Sequence, residues 1–213
     1  MLYMPPAFQQ TDLAQIRADI AAIGFATLIT ASAQEPIISH VPLLWRDDGS
    51  EFGVLIGHLA RGNPQWSASD LTKPATAVFM GPHAYVSPSW YPSKQTDPKV
   101  VPTWNYAVVH ARGPLAVFED SDVLLTDLTA LTEKHEQRVG SDLQTSDAPM
   151  DFLIRQTRGI VGIRLHIQAL EAKSKLSQNR AAGDRAGVRA KLGASAHDAD
   201  HAVAAAMEST NKW

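Results

Sequence analysis

Short apolar runs follow one another through the first half of this 213-residue chain, mostly without a crossover helix between them. The runs are 25–31 (FATLITA), 37–45 (IISHVPLLW), 52–58, 75–80 and 105–117, all rich in β-branched and aromatic residues. Parallel neighbours need a connection of about a dozen residues or more, most often a helix. Strand directly after strand therefore argues for an antiparallel barrel rather than a parallel sheet. Pro42, inside the second run, marks an edge, a bulge or a point where the backbone faces a ligand.

Helices flank these strands. Thr11 caps a predicted helix that runs to Ile23, with Leu13, Ile16, Ile20 and Ile23 on one stripe, and Gly24 stops it. Asp120 or Ser121 caps another, carrying Val123, Leu124, Leu128 and Leu131 at helical spacing. Residues 146–158 read as a third, with Asp147 near its start and Pro149 in its first turn. Residues 160–167 return to strand. Beyond Gly183 the chain is Ala-rich and weakly capped, either helical or a mobile arm. The expected class is mainly β with flanking helices (α+β), one domain over 1–192 and a helical or mobile tail over 193–213.

Composition narrows the function classes. There is no cysteine, which excludes disulfides, thiolate metal sites and cysteine nucleophiles. No apolar run reaches bilayer-spanning length, and Tyr3, Pro5 and Pro6 interrupt any secretory pattern, so no membrane partner and a cytoplasmic location are expected. The net charge of −3 hides an asymmetry: between Leu153 and Gly193 nine Lys/Arg face two acids. That basic third suits a phosphate, an acidic surface or nucleic acid, or is simply a solvated helix surface. The chain as a whole is too acidic for a nonspecific nucleic-acid binder.

Several familiar sites are missing from the sequence. No GxGxxG follows a strand, no GxxxxGK[ST] loop exists, and there is no G-x-S-x-G elbow. His135-Glu136 lacks the second histidine of a zinc protease, and His197 with His201 is a lone i, i+4 pair. His40, His58 and His110 each lie in or at the end of a predicted strand and either converge or occupy separate polar positions. The segment 57–64 (GHLARGNP) leaves a strand with small residues, a guanidinium and an amide. It is suited to a phosphate through Arg61 and the Gly62 backbone, or is a plain loop exit. Between Gly81 and Gly113, Tyr85, Trp90, Tyr91, Trp104, Tyr106, His83 and His110 crowd among prolines. They form either strand core or a wall for a flat aromatic ligand.

Together, GHLARGNPQW, GPHAYVSPSWYPSK, VVPTWNYAVVHARG and KLSQNRAAGDRAGV resemble the PaiB family of FMN-binding "negative transcriptional regulators" over residues 1–192. MLYMPPAF and TSDAPMDFL fit the same pattern. The resemblance implies an antiparallel split β-barrel of the FMN-binding type and a homodimer with FMN at the subunit interface. It also implies a redox- or ligand-sensing role, with DNA as a partner by family name only. No helix-turn-helix pair is evident, and Lys173–Lys191 is the only candidate DNA surface. Mapped by motif, Ser39, His40, Val41 and Pro42 would pass the isoalloxazine edge through backbone groups. His58, Ala60, Arg61 and Asn63 would surround the ribityl phosphate, Trp104 and Asn105 would lie near the ring, and Lys175, Gln178 and Asn179 would approach from a late segment. The alternatives are a haem-binding split barrel and an FMN-dependent oxidoreductase, either a flavin reductase or an oxidase of a small aromatic substrate held by His83, Tyr85, Trp90 and Tyr91, with His83 and His110 as the acid–base candidates.

Overall fold

The computed structural model describes residues 1–209. In chain order the elements begin with β1 (Gln9–Gln10), α1 (Leu13–Ile23), β2 (Phe25–Thr30), β3 (Ile37–Pro42), β4 (Leu44–Arg46), β5 (Val54–Ala60) and α2 (Gln65–Ala68). There follow β6 (Ala75–Val86), β7 (Thr103–Gly113), β8 (Leu115–Phe118), α3 (Ser121–Val139) and α4 (Met150–Thr157). The last are β9 (Ile160–His166), β10 (Ala169–Lys175), α5 (Ala182–Gly193) and α6 (Asp198–Ser209). Two compact units result: Leu13–Phe79 with His110–Leu170, and Met1–Asp12 with Met80–Val109 and the chain from Glu171 on.

In the larger unit, α1 buries Ile16 and Ile20 and ends at Gly24, whose φ of +64° only glycine adopts cheaply. β2 pairs antiparallel with β3 on one side and with the start of β6 on the other. The second sheet has the order β4-β5-β9-β8, all antiparallel. Its central strand β5 is apolar nearly throughout because Val54, Leu55, Ile56 and Leu59 are buried. Asp120 caps α3 by accepting from the Asp122 and Val123 N–H groups at 3.1 and 2.9 Å. On that helix, buried Asp127 accepts from Arg46 Nη1 at 3.0 Å and Arg164 Nη2 at 3.2 Å, joining α3 to β4 and β9.

Two of the apolar runs are each two strands. The run 37–45 breaks at Pro42: β3 and β4 belong to different sheets, and the Leu43 N–H at the corner donates to Gly24 O at 2.8 Å. A side chain on Gly57 would strike Leu43 and the Pro42 carbonyl at 2.8 Å, so this corner requires glycine opposite it. The run 105–117 breaks at Pro114, which cannot donate to a ladder, and β7 and β8 separate there. β6 runs to Val86, beyond the expected 80, and β10 was not expected at all. Pro149 likewise splits 146–158 into a 3-10 turn (Thr145–Asp147) and α4.

In the smaller unit the strand order is β1-β10-β7-β6, with Gln9 opposite Lys173 and Gln10 opposite Ala172. Its core joins Val86 and Tyr91 to Leu176, to Val188 and Leu192 of α5, and to Val203 and Met207 of α6. Gly187 lets α5 approach Trp90, whose carbonyl a Cβ would overlap. The Ala-rich segment is therefore two packed helices as far as residue 209, and residues 210–213 of the expected tail lie outside the described residues. No helix among the described residues is long and apolar enough to cross a membrane.

Candidate functional site

The sequence-predicted residues gather in two clusters, one in each unit. In the larger unit, β3 lies at the end of its sheet, so the outer backbone edge of Ser39–Pro42 has no strand beside it among the described residues. Val41 is buried, whereas His40 is exposed; its Nδ1 meets Thr27 Oγ1 at 3.1 Å and its ring stacks on Phe25 at 6.4 Å between centroids. Ser39 Oγ accepts from Asn63 Nδ2 at 2.8 Å, and Asn63 Oδ1 accepts the Gln65 N–H at 2.9 Å. This pair fastens the loop after β5 to β3. Gln65, fully buried, donates through Nε2 to Leu28 O, Thr30 Oγ1 and Ile37 O, while its Oε1 has no partner among the described residues.

His58 is half-buried on β5 opposite Gly162, and desolvation lowers its pKa from the usual 6.5, favouring the neutral imidazole. Ala60 and Arg61 are exposed at the strand exit. The Arg61 guanidinium is held by the protein itself: Nη1 donates to Glu119 at 2.6 Å, Nε to Arg158 O at 2.7 Å and Nη2 to Ile160 O at 3.1 Å. Trp66 Nε1 donates to Arg61 O at 2.9 Å and fixes the turn. Gly62 follows with nothing within 4 Å of where a Cβ would stand, and its N–H has no protein acceptor among the described residues.

In the smaller unit, Asn105 is fully buried. Its amide exchanges hydrogen bonds with Ser177 Oγ at 3.0 and 3.1 Å, and Nδ2 also meets Met207 Sδ at 3.6 Å. It holds Ser177 at a φ of 65°, in the left-handed region, and so acts on the 176–180 turn rather than on a surface. Gln178 spends its amide on the Ser174 carbonyl and the Leu176 N–H, whereas Asn179 is exposed. Trp104 is 52% exposed, with His83 at 5.9 Å and Tyr85 edge-on at 6.3 Å. Lys175 Nζ donates to Thr103 Oγ1 and to Trp104 O. Desolvation, then Lys173 and Arg180, lower its pKa.

Sequence reasoning missed Glu119, 58 residues from its partner Arg61, and it put Lys173 on a candidate DNA surface, whereas Lys173 is buried against the rings of Tyr3 and Tyr106. It also grouped Tyr91 with His83 and Tyr85, yet Tyr91 is a core residue beneath Arg180. Period-two alternation along 81–86 was the available signal, since it places Ala84 and Val86 inward and His83 and Tyr85 outward. His197 and His201 form no cluster of three ligating groups among the described residues, and His201 Nε2 lies 2.8 Å from Ser195 O.

Residues 2–169 match the family described as "Putative FMN-binding domain". A Bacillus subtilis protein named protease synthase and sporulation protein PAI 2 is 34% identical over 179 residues, covering 84% of this chain and 83% of the relative. An uncharacterized protein of Emericella nidulans is 33% identical over 199 residues, covering 78% and 79%. Among solved structures, a conserved hypothetical protein of Mycobacterium tuberculosis superposes with a TM-score of 0.59 at 10% identity, covering 84% of this chain and 94% of the other. An FAD and heme binding protein of Mycobacterium smegmatis does so with a TM-score of 0.55 at 16% identity, covering 78% and 73%. These likenesses bear on the fold alone, and they bear out the antiparallel split-barrel class read from the sequence. On the family match and the identity to PAI 2, the chain belongs to the PaiB-like family of FMN-binding domains, whose cofactor is FMN.

Proposed function

We propose that this protein is an FMN-binding homodimer of the PaiB type that senses redox state or a ligand and acts as a regulator. The observation that carries the cofactor site is the turn Arg61-Gly62-Asn63. Gly62 is neither strained nor crowded, so the protein's own packing gives no reason for a bare backbone there. A phosphate group gives one, because it is stabilised by fixed N–H donors and a nearby cation. Two of the five Arg61 N–H groups, and the Gly62 N–H, make no protein contact among the described residues. The donor set therefore fits the phosphate of FMN, with His58, Ala60 and Asn63 around it.

Ser39, His40, Val41 and Pro42 would offer the outer edge of β3 to the flavin ring. By the family resemblance, Trp104, Asn105, Lys175, Gln178 and Asn179 are also proposed to lie near the cofactor. When bound, the flavin supplies reversible one- or two-electron chemistry. The chain's part is to bind and orient it, keep His58 neutral and present the ring to a partner. Direct contact with DNA rests on the family name and on the basic segment 173–191.

Flavin fluorescence titration of the purified protein tests the cofactor, and a mobility shift at low salt with and without FMN tests DNA. FMN binding that Arg61→Ala leaves unchanged would refute the phosphate assignment. A second reading, an FMN-dependent oxidoreductase acting on a small aromatic compound, is favoured by the exposed His83–Tyr85–Trp104 group. Anaerobic bleaching of bound FMN by NADH or NADPH separates the reductase form of that reading from a sensor.

A further inference from the structure

The smaller unit holds more positive charge at one place than its own acids answer. Lys173 is 5% exposed, donating to Tyr3 O at 2.8 Å, with its ammonium 5.1 and 5.2 Å from the Tyr3 and Tyr106 ring centres. Lys173 and Arg180 each lie close enough to Lys175 for their charges to act on it. None of the three has a carboxylate partner among the described residues, and Glu171, two residues along β10, already accepts the Leu2 N–H at 3.2 Å. Burying an ammonium with only a carbonyl and ring faces for company is costly, and the crowding of Lys173 and Arg180 around Lys175 adds to the cost. A bound anion relieves both.

The same place carries exposed rings. Lys175 Nζ sits on the Trp104 carbonyl, and Trp104 with Tyr85 and His83 forms an open aromatic surface on β6 and β7. Exposed Trp and Tyr beside a cation suit a ligand that is both flat and negatively charged.

We propose that this face binds a small planar aromatic carboxylate, its ring on Trp104 and Tyr85 and its carboxylate at Lys175 and Arg180. Lys173 contributes its field from beneath. The proposal rests on the reading that FMN places its phosphate at the Arg61–Gly62 turn, which leaves these cations for a second ligand, either a substrate of the flavin or the signal that the protein senses.

Calorimetric titration of FMN-saturated protein with 1-naphthoate tests it, alongside uncharged 1-naphthamide and non-planar cyclohexanecarboxylate. Naphthoate is expected to bind without displacing FMN, and the two controls to bind at least about tenfold more weakly. With FMN held at saturation, Lys175→Gln and Trp104→Ala should each weaken naphthoate by about tenfold, and Lys175→Arg should retain it. Both mutated side chains are partly exposed, and circular dichroism confirms the fold.

No naphthoate binding, or equal binding of naphthamide, overturns the proposal. So does displacement of FMN by naphthoate, or a Lys175→Gln protein that loses its preference for FMN over riboflavin, since the cations then serve the cofactor phosphate. If naphthoate binds as described and FMN does not bind at all, the cofactor reading fails while the anion site stands.

Discussion

Arg61 is the residue proposed to meet the cofactor phosphate. Its guanidinium bonds Glu119 and two carbonyls, so a phosphate arriving at the turn competes with the Glu119 carboxylate. Arg61→Ala removes a charge-assisted donor and should weaken FMN by roughly ten- to a hundredfold, whereas Glu119→Gln should tighten it by a few-fold, about 0.5–1 kcal/mol. Fluorescence titration reads both, and equal losses in both variants would make the pair structural. His58 gives a pH dependence. Burial lowers its folded pKa below 6.5, so the unfolded chain takes up the proton first. The stability from this residue is present above about pH 6.5 and lost as pH falls through the folded value. Urea midpoints measured from pH 8 to pH 5 should drop less steeply in His58→Gln. The GHLARGNP motif made Arg61, Gly62 and Asn63 legible in the sequence, but Glu119 was not, because nothing local ties two exposed charged residues on distant elements.

At the scale of elements, the sheets are stitched by a few polar ties whose loss is measurable. Asp127 of α3 accepts from Arg46 of β4 and Arg164 of β9, and it is 6% exposed while both arginines are about a third exposed. Asp127→Ala leaves two guanidiniums without their carboxylate and should cost about 3 kcal/mol, the low end for a broken buried pair because water reaches the arginines. Asp120→Ala removes only the α3 cap and should cost about 1 kcal/mol. Denaturant melts rank the two, and a larger loss for Asp120 would contradict the assignment. The capping was legible because an aspartate preceding a 3.6-residue apolar period is a local signal. The broken runs were not: 37–45 and 105–117 each read as one continuous apolar run, and only the partner sheets decide that Pro42 and Pro114 end one strand and start another. β10 was hidden for a related reason. Its residues ALEAKSK carry too little apolar weight to read as a strand, and what makes it one is its place beside β1 and β7.

For the whole molecule the open question is assembly, and the larger unit carries the feature that argues for it. Phe25 and Ile38 are 58% and 57% exposed, on an outward face of β2 and β3 where Thr27 and Ile29 stand opposite His40 and Ile38. β3 is an edge strand, and apolar side chains on an open edge invite another chain unless charge or curvature blocks it. No lysine, arginine or acid lies in IISHVP to do so. A second copy covering this face would hide the exposed rings and bring its own groups to the outer backbone of Ser39–Pro42, the stretch proposed to meet the flavin. Assembly and cofactor binding should then be coupled: FMN should raise the apparent dimer affinity, and the dimer should raise FMN affinity by the same factor. A Phe25→Glu, Ile38→Glu double variant places two charges in that face and should shift the protein to monomer, weakening FMN at least tenfold, about 1.4 kcal/mol or more. Sedimentation velocity with and without FMN, paired with flavin titration, reads both quantities on one preparation. A variant that stays dimeric moves the interface elsewhere. A monomer that keeps full FMN affinity shows instead that one chain suffices to build the site, and the two-copy cofactor site is then wrong whatever the oligomeric state.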